Sequence, residues 1–137
     1  MIESLGIDLK GKDACMVGRS AIVGRPTAMM LAKKHATVTL CHRHTERLPE
    51  KTIQADILVV AIGHPHYIKA DWIKKNAIVI DVGINVVGGH TVGDVEFEEA
   101  AKRAKWITPV PGGVGPVTVT MVMKNVLEAY KLQRAST

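Results

Sequence analysis

The segment Val17-Gly18-Arg19-Ser20-Ala21-Ile22-Val23-Gly24-Arg25-Pro26 decides how this chain is read. Before it, Asp13–Val17 is a short apolar run of strand type. After it, Pro26–Lys34 reads as a helix with proline in its first turn, where a missing N–H does no harm. Strand, glycine-rich turn and helix in that order bring backbone N–H groups and a helix N-terminus to one point, the geometry that holds a phosphate. Against the dinucleotide pattern G-x-G-x-x-G, Gly18 fits the first glycine, Ser20 stands at the second and Gly24 falls one residue late. An ordinary tight turn between strand and helix accounts for the same residues.

Outward from this turn the pattern repeats. Thr37–Cys41 is a second strand, and Asp56–Ile62 and Ala77–Val82 are continuous apolar runs, as in strands buried on both faces of a parallel sheet. Short helices are expected around Glu46–Gln54 and Ala70–Lys75, then Glu96–Lys102 and Val117–Gln133, with a brief strand at Trp106 and Ile107. The alternation predicts an α/β fold, a doubly wound Rossmann-type parallel sheet flanked by helices. No repeat or Pro/Gly/Ser-rich linker divides the sequence, so residues 1–137 read as a single NAD(P)-binding domain.

Composition narrows the partners. The 137 residues are 47% hydrophobic and 23% charged, a globular balance, and the formal charge of +5 favours an anionic partner. The few aromatics do not interleave with Lys and Arg and no basic run occurs, so nucleic acid is not expected. No apolar run reaches the roughly 18–20 residues that span a bilayer, and Met1–Lys10 lacks the basic start of a secretory signal. Cys15 and Cys41 read as small core residues of a reduced intracellular protein, cytoplasmic with a mitochondrial parent as the alternative. The pairs His42/His44 and His64/His66 share a face of an extended segment, but no further ligand completes a set, and no metal is expected. No residue stands out as a general acid or base.

Two further places carry chemistry. A ribose 2′-hydroxyl usually meets an acid about 20 residues past the glycine turn. Here Cys41-His42-Arg43-His44-Thr45 stands instead, with no acid before Glu46. A guanidinium there suits a 2′-phosphate and, with Arg19, favours NADP over NAD, although a solvated basic loop would read alike. The other place is Thr108-Pro109-Val110-Pro111-Gly112-Gly113-Val114-Gly115-Pro116, a stiff path that lets backbone approach a ligand closely. It converges with Ala61–Pro65 and Asp81–Asn85 on the crevice at the carboxyl ends of the strands. The last helix is apolar nearly all round its first turns. It is either a long core helix or a surface for another domain or subunit, and exposure of Met121, Met123 and Val126 would favour the second.

Taken in register, Gly18-Arg19-Ser20-x-Ile22-Val23-Gly24-x-Pro26, Ala36-Thr37-Val38-Thr39-x-Cys41-His42, Gln54-Ala55-Asp56-Ile57, Val79–Asn85, Gly93-Asp94-Val95 and Thr108–Pro116 closely resemble one family. It is the bifunctional methylenetetrahydrofolate dehydrogenase/methenyltetrahydrofolate cyclohydrolase, in its NADP-binding half, and the likeness runs from about Ile7 to Tyr130. The resemblance implies that Gly18, Arg19 and Ser20 hold the cofactor phosphates and ribose. It implies that Arg43 meets the 2′-phosphate where many members have Ser, and that Ile84 and Thr118 lie at the nicotinamide side. Pro111, Gly112, Gly113, Val114 and Gly115 would line the folate side. The family's catalytic Lys and Tyr, and the Gln and Asp that hold substrate, lie in a separate N-terminal domain. Met1–Leu5 resembles the tail of the helix that connects the two. The expectation is therefore a homodimeric cofactor half, sharing its folate substrate with that other domain and inactive alone. A stand-alone nucleotide-binding or dimerisation module without catalysis is the alternative.

Overall fold

The structure, a computed structural model, describes residues 1–135. Its centre is a parallel five-stranded sheet in the order β2-β1-β3-β4-β7. The strands are β1 (Asp13–Val17), β2 (Thr37–Cys41), β3 (Ile57–Val60), β4 (Ile78–Asp81) and β7 (Trp106–Ile107). Ala14 to Val17 and Ile57 to Val60 are all buried, which explains why these runs show no polar alternation. Successive side chains still take opposite faces. Ala14, Met16, Ile57 and Val59 pack beneath α1 (Gly24–Lys33) with Ala28 and Leu31. Cys15, Val17, Leu58, Val60 and Val79 pack on the other face with Leu48 of α2 (Leu48–Thr52) and Ala100 of α3 (Phe97–Arg103). Helices thus cover both faces, as the alternation predicted. The strand order reverses between β1 and β3, which puts the ligand crevice of such a sheet at their carboxyl ends.

Several elements depart from the sequence reading. The helix expected over Glu46–Gln54 shortens to Leu48–Thr52, and the one at Ala70–Lys75 is only a 3-10 turn, Ala70–Trp72. A hairpin, β5 (Asn85–Val87) with β6 (His90–Val92), was not expected. Its connection is Gly88-Gly89, both in the left-handed region, a pair that lets a two-residue turn follow the twist of the strands. The last helix, α4 (Val114–Ala135), begins earlier than the expected Val117 because Pro116 sits in its first turn, where the donors lack partners anyway.

No residue of α4 is buried. Met121, Met123 and Val126 are 45%, 67% and 61% exposed, so the reading as a core helix is corrected in favour of a surface awaiting cover. Among the described residues no helix is long and apolar enough to cross a membrane. Both cysteines are free and buried, with Sγ atoms 3.8 Å apart. The hydrogen bond to Cys41, with burial behind it, pushes the Cys15 thiol up and keeps it inert.

Candidate functional site

The turn after β1 is built by close approach. Gly18 has φ 137°, and a Cβ there would be driven into the carbonyl of Ala61 at the start of the β3 exit. Gly24 lies directly on the Gly18 carbonyl, leaving no room for a side chain. The glycine that falls one residue late in the pattern therefore does the third glycine's work, packing helix on strand. Ser20 Oγ accepts the N–H groups of Val23 (3.1 Å) and Gly24 (3.2 Å), leaving its own proton free to donate. The first turn of α1 holds no acid, and Arg19 and Arg25 beside it are exposed. The exposed Ser20 hydroxyl, a helix N-terminus and the cations Arg19 and Arg25 around this turn form a cradle that fits a pyrophosphate.

The exit of β2 adjoins this cradle. Gly18 donates its N–H to the Cys41 carbonyl at 2.9 Å, two residues before Arg43. His42 to Thr45 form a tight turn: Thr45 N–H meets the His42 carbonyl at 2.8 Å, and His42 N–H meets Thr45 Oγ1 at 2.9 Å. Arg43 projects exposed from this turn, its Nε donating to His44 Nε2 at 3.1 Å. The structure thus brings Gly18, Arg19, Ser20 and Arg43 to one end of the sheet edge.

Ile84 stands at the other end, past β4, while Thr118 is held within α4. Ile84 is 69% exposed just past β4, and Thr118 lies on α4, its hydroxyl donating to the Val114 carbonyl at 3.0 Å. From β2 to β4 is three strand spacings, about 14 Å, so a ligand meeting both Arg43 and Ile84 lies extended along the edge. The Pro-Gly path leaves β7 through buried Thr108, whose Oγ1 accepts the Asp81 N–H at 2.8 Å. Pro111 and Gly112 are exposed, Gly113 packs on the Pro109 carbonyl, and Val114 and Gly115 already belong to α4.

Two aspartates that the sequence reading passed over organise this edge. Asp81 Oδ1 accepts the N–H groups of Gly83 (2.9 Å) and Asp94 (3.1 Å), and its Oδ2 accepts that of Val95 (2.9 Å). Burial pushes the Asp81 carboxyl above the usual range, against those three hydrogen bonds. Asp94, fully buried, accepts the N–H groups of Ile62, Gly63 and His64 and the Asn85 side-chain amide. The available signal was the cost of a buried carboxylate: Asp81 closes an apolar run and Asp94 stands between Gly93 and Val95.

A separate hollow of about 760 Å³ lies between the hairpin, the start of α3 and the β7 exit. Asp81, Glu96, Glu98 and Glu99 line it against Lys69 and His66 and no expected site residue does, so its acidic balance is wrong for phosphates. Among the described residues no three His, Cys, Asp or Glu side chains gather to hold a metal ion.

Comparison with known proteins gives the family and the fold. The family model described as "Tetrahydrofolate dehydrogenase/cyclohydrolase, NAD(P)-binding domain" matches residues 1–134. The bifunctional protein FolD of Pelobacter propionicus is 57% identical over 132 residues, 96% of this chain and 47% of its own length. The solved FolD of Campylobacter jejuni superposes with a TM-score of 0.94 at 47% identity, over 96% of this chain and 47% of its own. FolD of Trypanosoma brucei, solved with NADP cofactor and inhibitor, gives 0.91 at 43% identity, over 96% and 48%. The chain spans about half the length of the curated relatives it matches.

Proposed function

Since the chain belongs to the tetrahydrofolate dehydrogenase/cyclohydrolase family and constitutes its NAD(P)-binding domain, we propose that it binds NADP along the carboxyl edge of the sheet. In this reading it is the cofactor half of a 5,10-methylenetetrahydrofolate dehydrogenase/5,10-methenyltetrahydrofolate cyclohydrolase. The observation that carries the reading is the close-packed Gly18–Gly24 turn that sets the N-terminus of α1 at the β1 exit, tied by the Gly18–Cys41 hydrogen bond to the turn that presents Arg43.

Gly18, Arg19 and Ser20 hold the pyrophosphate and its ribose: the backbone approaches closely, the guanidinium adds charge and the Ser20 hydroxyl donates. Arg43 pairs with the 2′-phosphate. Ile84 and Thr118 meet the nicotinamide end, and Pro111 to Gly115 line the folate side. When bound, NADP supplies the hydride acceptor. The family resemblance puts the proton-moving groups and the rest of the folate site in the other domain of the enzyme, and in this reading the chain is inactive alone. The exposed apolar surface of α4 favours this over a stand-alone module, because a self-sufficient domain would cover Val119, Met123 and Val126. Self-association of two copies belongs to the same proposal.

Calorimetric titration with NADP and NAD tests the reading. NADP is expected to bind more tightly, and Arg43→Ser to weaken NADP by about 1–2 kcal/mol while leaving NAD unchanged. An NADP/NAD ratio that survives the substitution removes Arg43 from the site.

A further inference from the structure

The loop leaving β3 is shaped like an anion site. Gly63 has φ 66°, and the N–H groups of Ile62, Gly63 and His64 converge on one point, the concave arrangement that binds phosphates and other anions. The anion already there belongs to the chain: Asp94 Oδ2 lies 2.7 Å from Ile62 N and 2.9 Å from Gly63 N, and its Oδ1 lies 2.8 Å from His64 N. The fourth donor is the Asn85 amide, 2.8 Å from Oδ1. These donors are neutral, and the side chain carries no exposed surface. A buried carboxylate costs free energy that an amide or apolar residue would not. Here it fastens the β3 exit to Asn85 on one side of Ile84, while Gly83 on the other side packs so closely on the same carboxyl group that a Cβ there would collide with it.

Resting on the cofactor reading above, we infer that Asp94 is a positioning residue for the nicotinamide end of the bound cofactor: its carboxylate joins the Ile62–His64 loop to Asn85 and packs against Gly83, fixing where Ile84 stands against the glycine turn. It touches neither the adenosine nor the 2′-phosphate end, which belong to β1 and β2. Its effect is therefore felt at one end of the ligand only. Because the Asp94 carboxylate occupies the three N–H groups of the β3 exit, the pyrophosphate is left to the Gly18–Gly24 turn.

The experiment compares two ligands on the full chain. NADP reports both ends of the site, whereas adenosine 2′,5′-bisphosphate reports only the adenosine end. Asp94→Asn keeps the shape but turns an amide NH2 toward two of the four donors. It is expected to weaken NADP about tenfold, the scale of one charge-assisted hydrogen bond, and to leave the bisphosphate within about twofold. Asn85→Ala removes one donor without touching the carboxylate. It is expected to weaken NADP about threefold with the bisphosphate unchanged, and it decides the matter if Asp94→Asn does not fold. Equal losses for both ligands would show a general structural role and overturn the assignment, as would unchanged NADP binding in both folded variants. Those outcomes leave the cofactor reading standing. A parent chain that binds neither nucleotide overturns that reading, and this assignment with it.

Discussion

At the amino edge of the sheet, Asp56 lies partly in solvent with the Lys74 ammonium 2.7 Å away, whereas at the carboxyl edge Asp81 and Asp94 are buried and met by neutral donors. Lys74 holds the Asp56 carboxyl below its usual range, while burial pushes that of Asp81 above it. Asp56 also accepts the Asp13 N–H at 3.1 Å, joining two strand starts. The contrast shows two uses of a carboxylate. An ion pair in solvent adds a little stability wherever it occurs. A buried carboxylate surrounded by N–H groups fixes loops that have no secondary structure of their own, and it does so at the edge where an open α/β sheet binds ligand.

The contrast would break first at Asp81. Replacing it by Ala strands the N–H groups of Gly83, Asp94 and Val95 in the interior, and the expected cost is about 3–5 kcal/mol in urea unfolding at pH 7. A cost under about 1 kcal/mol would put Asp81 on the same footing as a surface pair. The pH dependence sharpens the point, because the two carboxylates have opposite signs. With its folded value raised, Asp81 favours the fold below the ordinary carboxylate range and loses that contribution as the pH rises through the raised value. Asp81→Asn is therefore expected to fall less far below the parent at pH 7 than at pH 4. With its folded value lowered, Asp56 contributes above the ordinary range and loses its contribution as the pH falls through the lowered value. Asp56→Asn is expected to cost only about 0.5–1 kcal/mol at pH 7, given how exposed the pair is, and the gap should close on acidification. Paired urea melts at the two pH values read both signs, and parallel slopes would contradict the assignment.

What could be read in the sequence follows the same division. Strands buried on both faces announce themselves as apolar runs, so β1, β3 and β4 fell within a residue or two of their expected places, and the glycine turn followed from them. Gly24 was legible as a glycine but not as a close-packing one, because its role depends on where the Gly18 carbonyl lies. The β5–β6 hairpin is only three residues a side, too short for a period to show, and Gly88-Gly89 was its one signal. The roles of Asp81 and Asp94 were hidden for a different reason: their donors come from Ile62 to His64, Gly83, Asn85 and Val95, segments that only the parallel sheet brings together. The α4 surface was legible as excess apolar character, but its direction away from the core was not.

The central claim, that the Gly18–Gly24 cradle and the Arg43 turn form one NADP site at the carboxyl edge, is tested most directly by following backbone amide resonances of the chain during an NADP titration. The account predicts the largest shifts at Gly18 to Gly24 and His42 to Thr45, a second group around Ile84, and little change at Asp13, Asp56 and Lys74 on the opposite edge. Shifts confined to α3 and the hairpin, or equal at both edges, would contradict it.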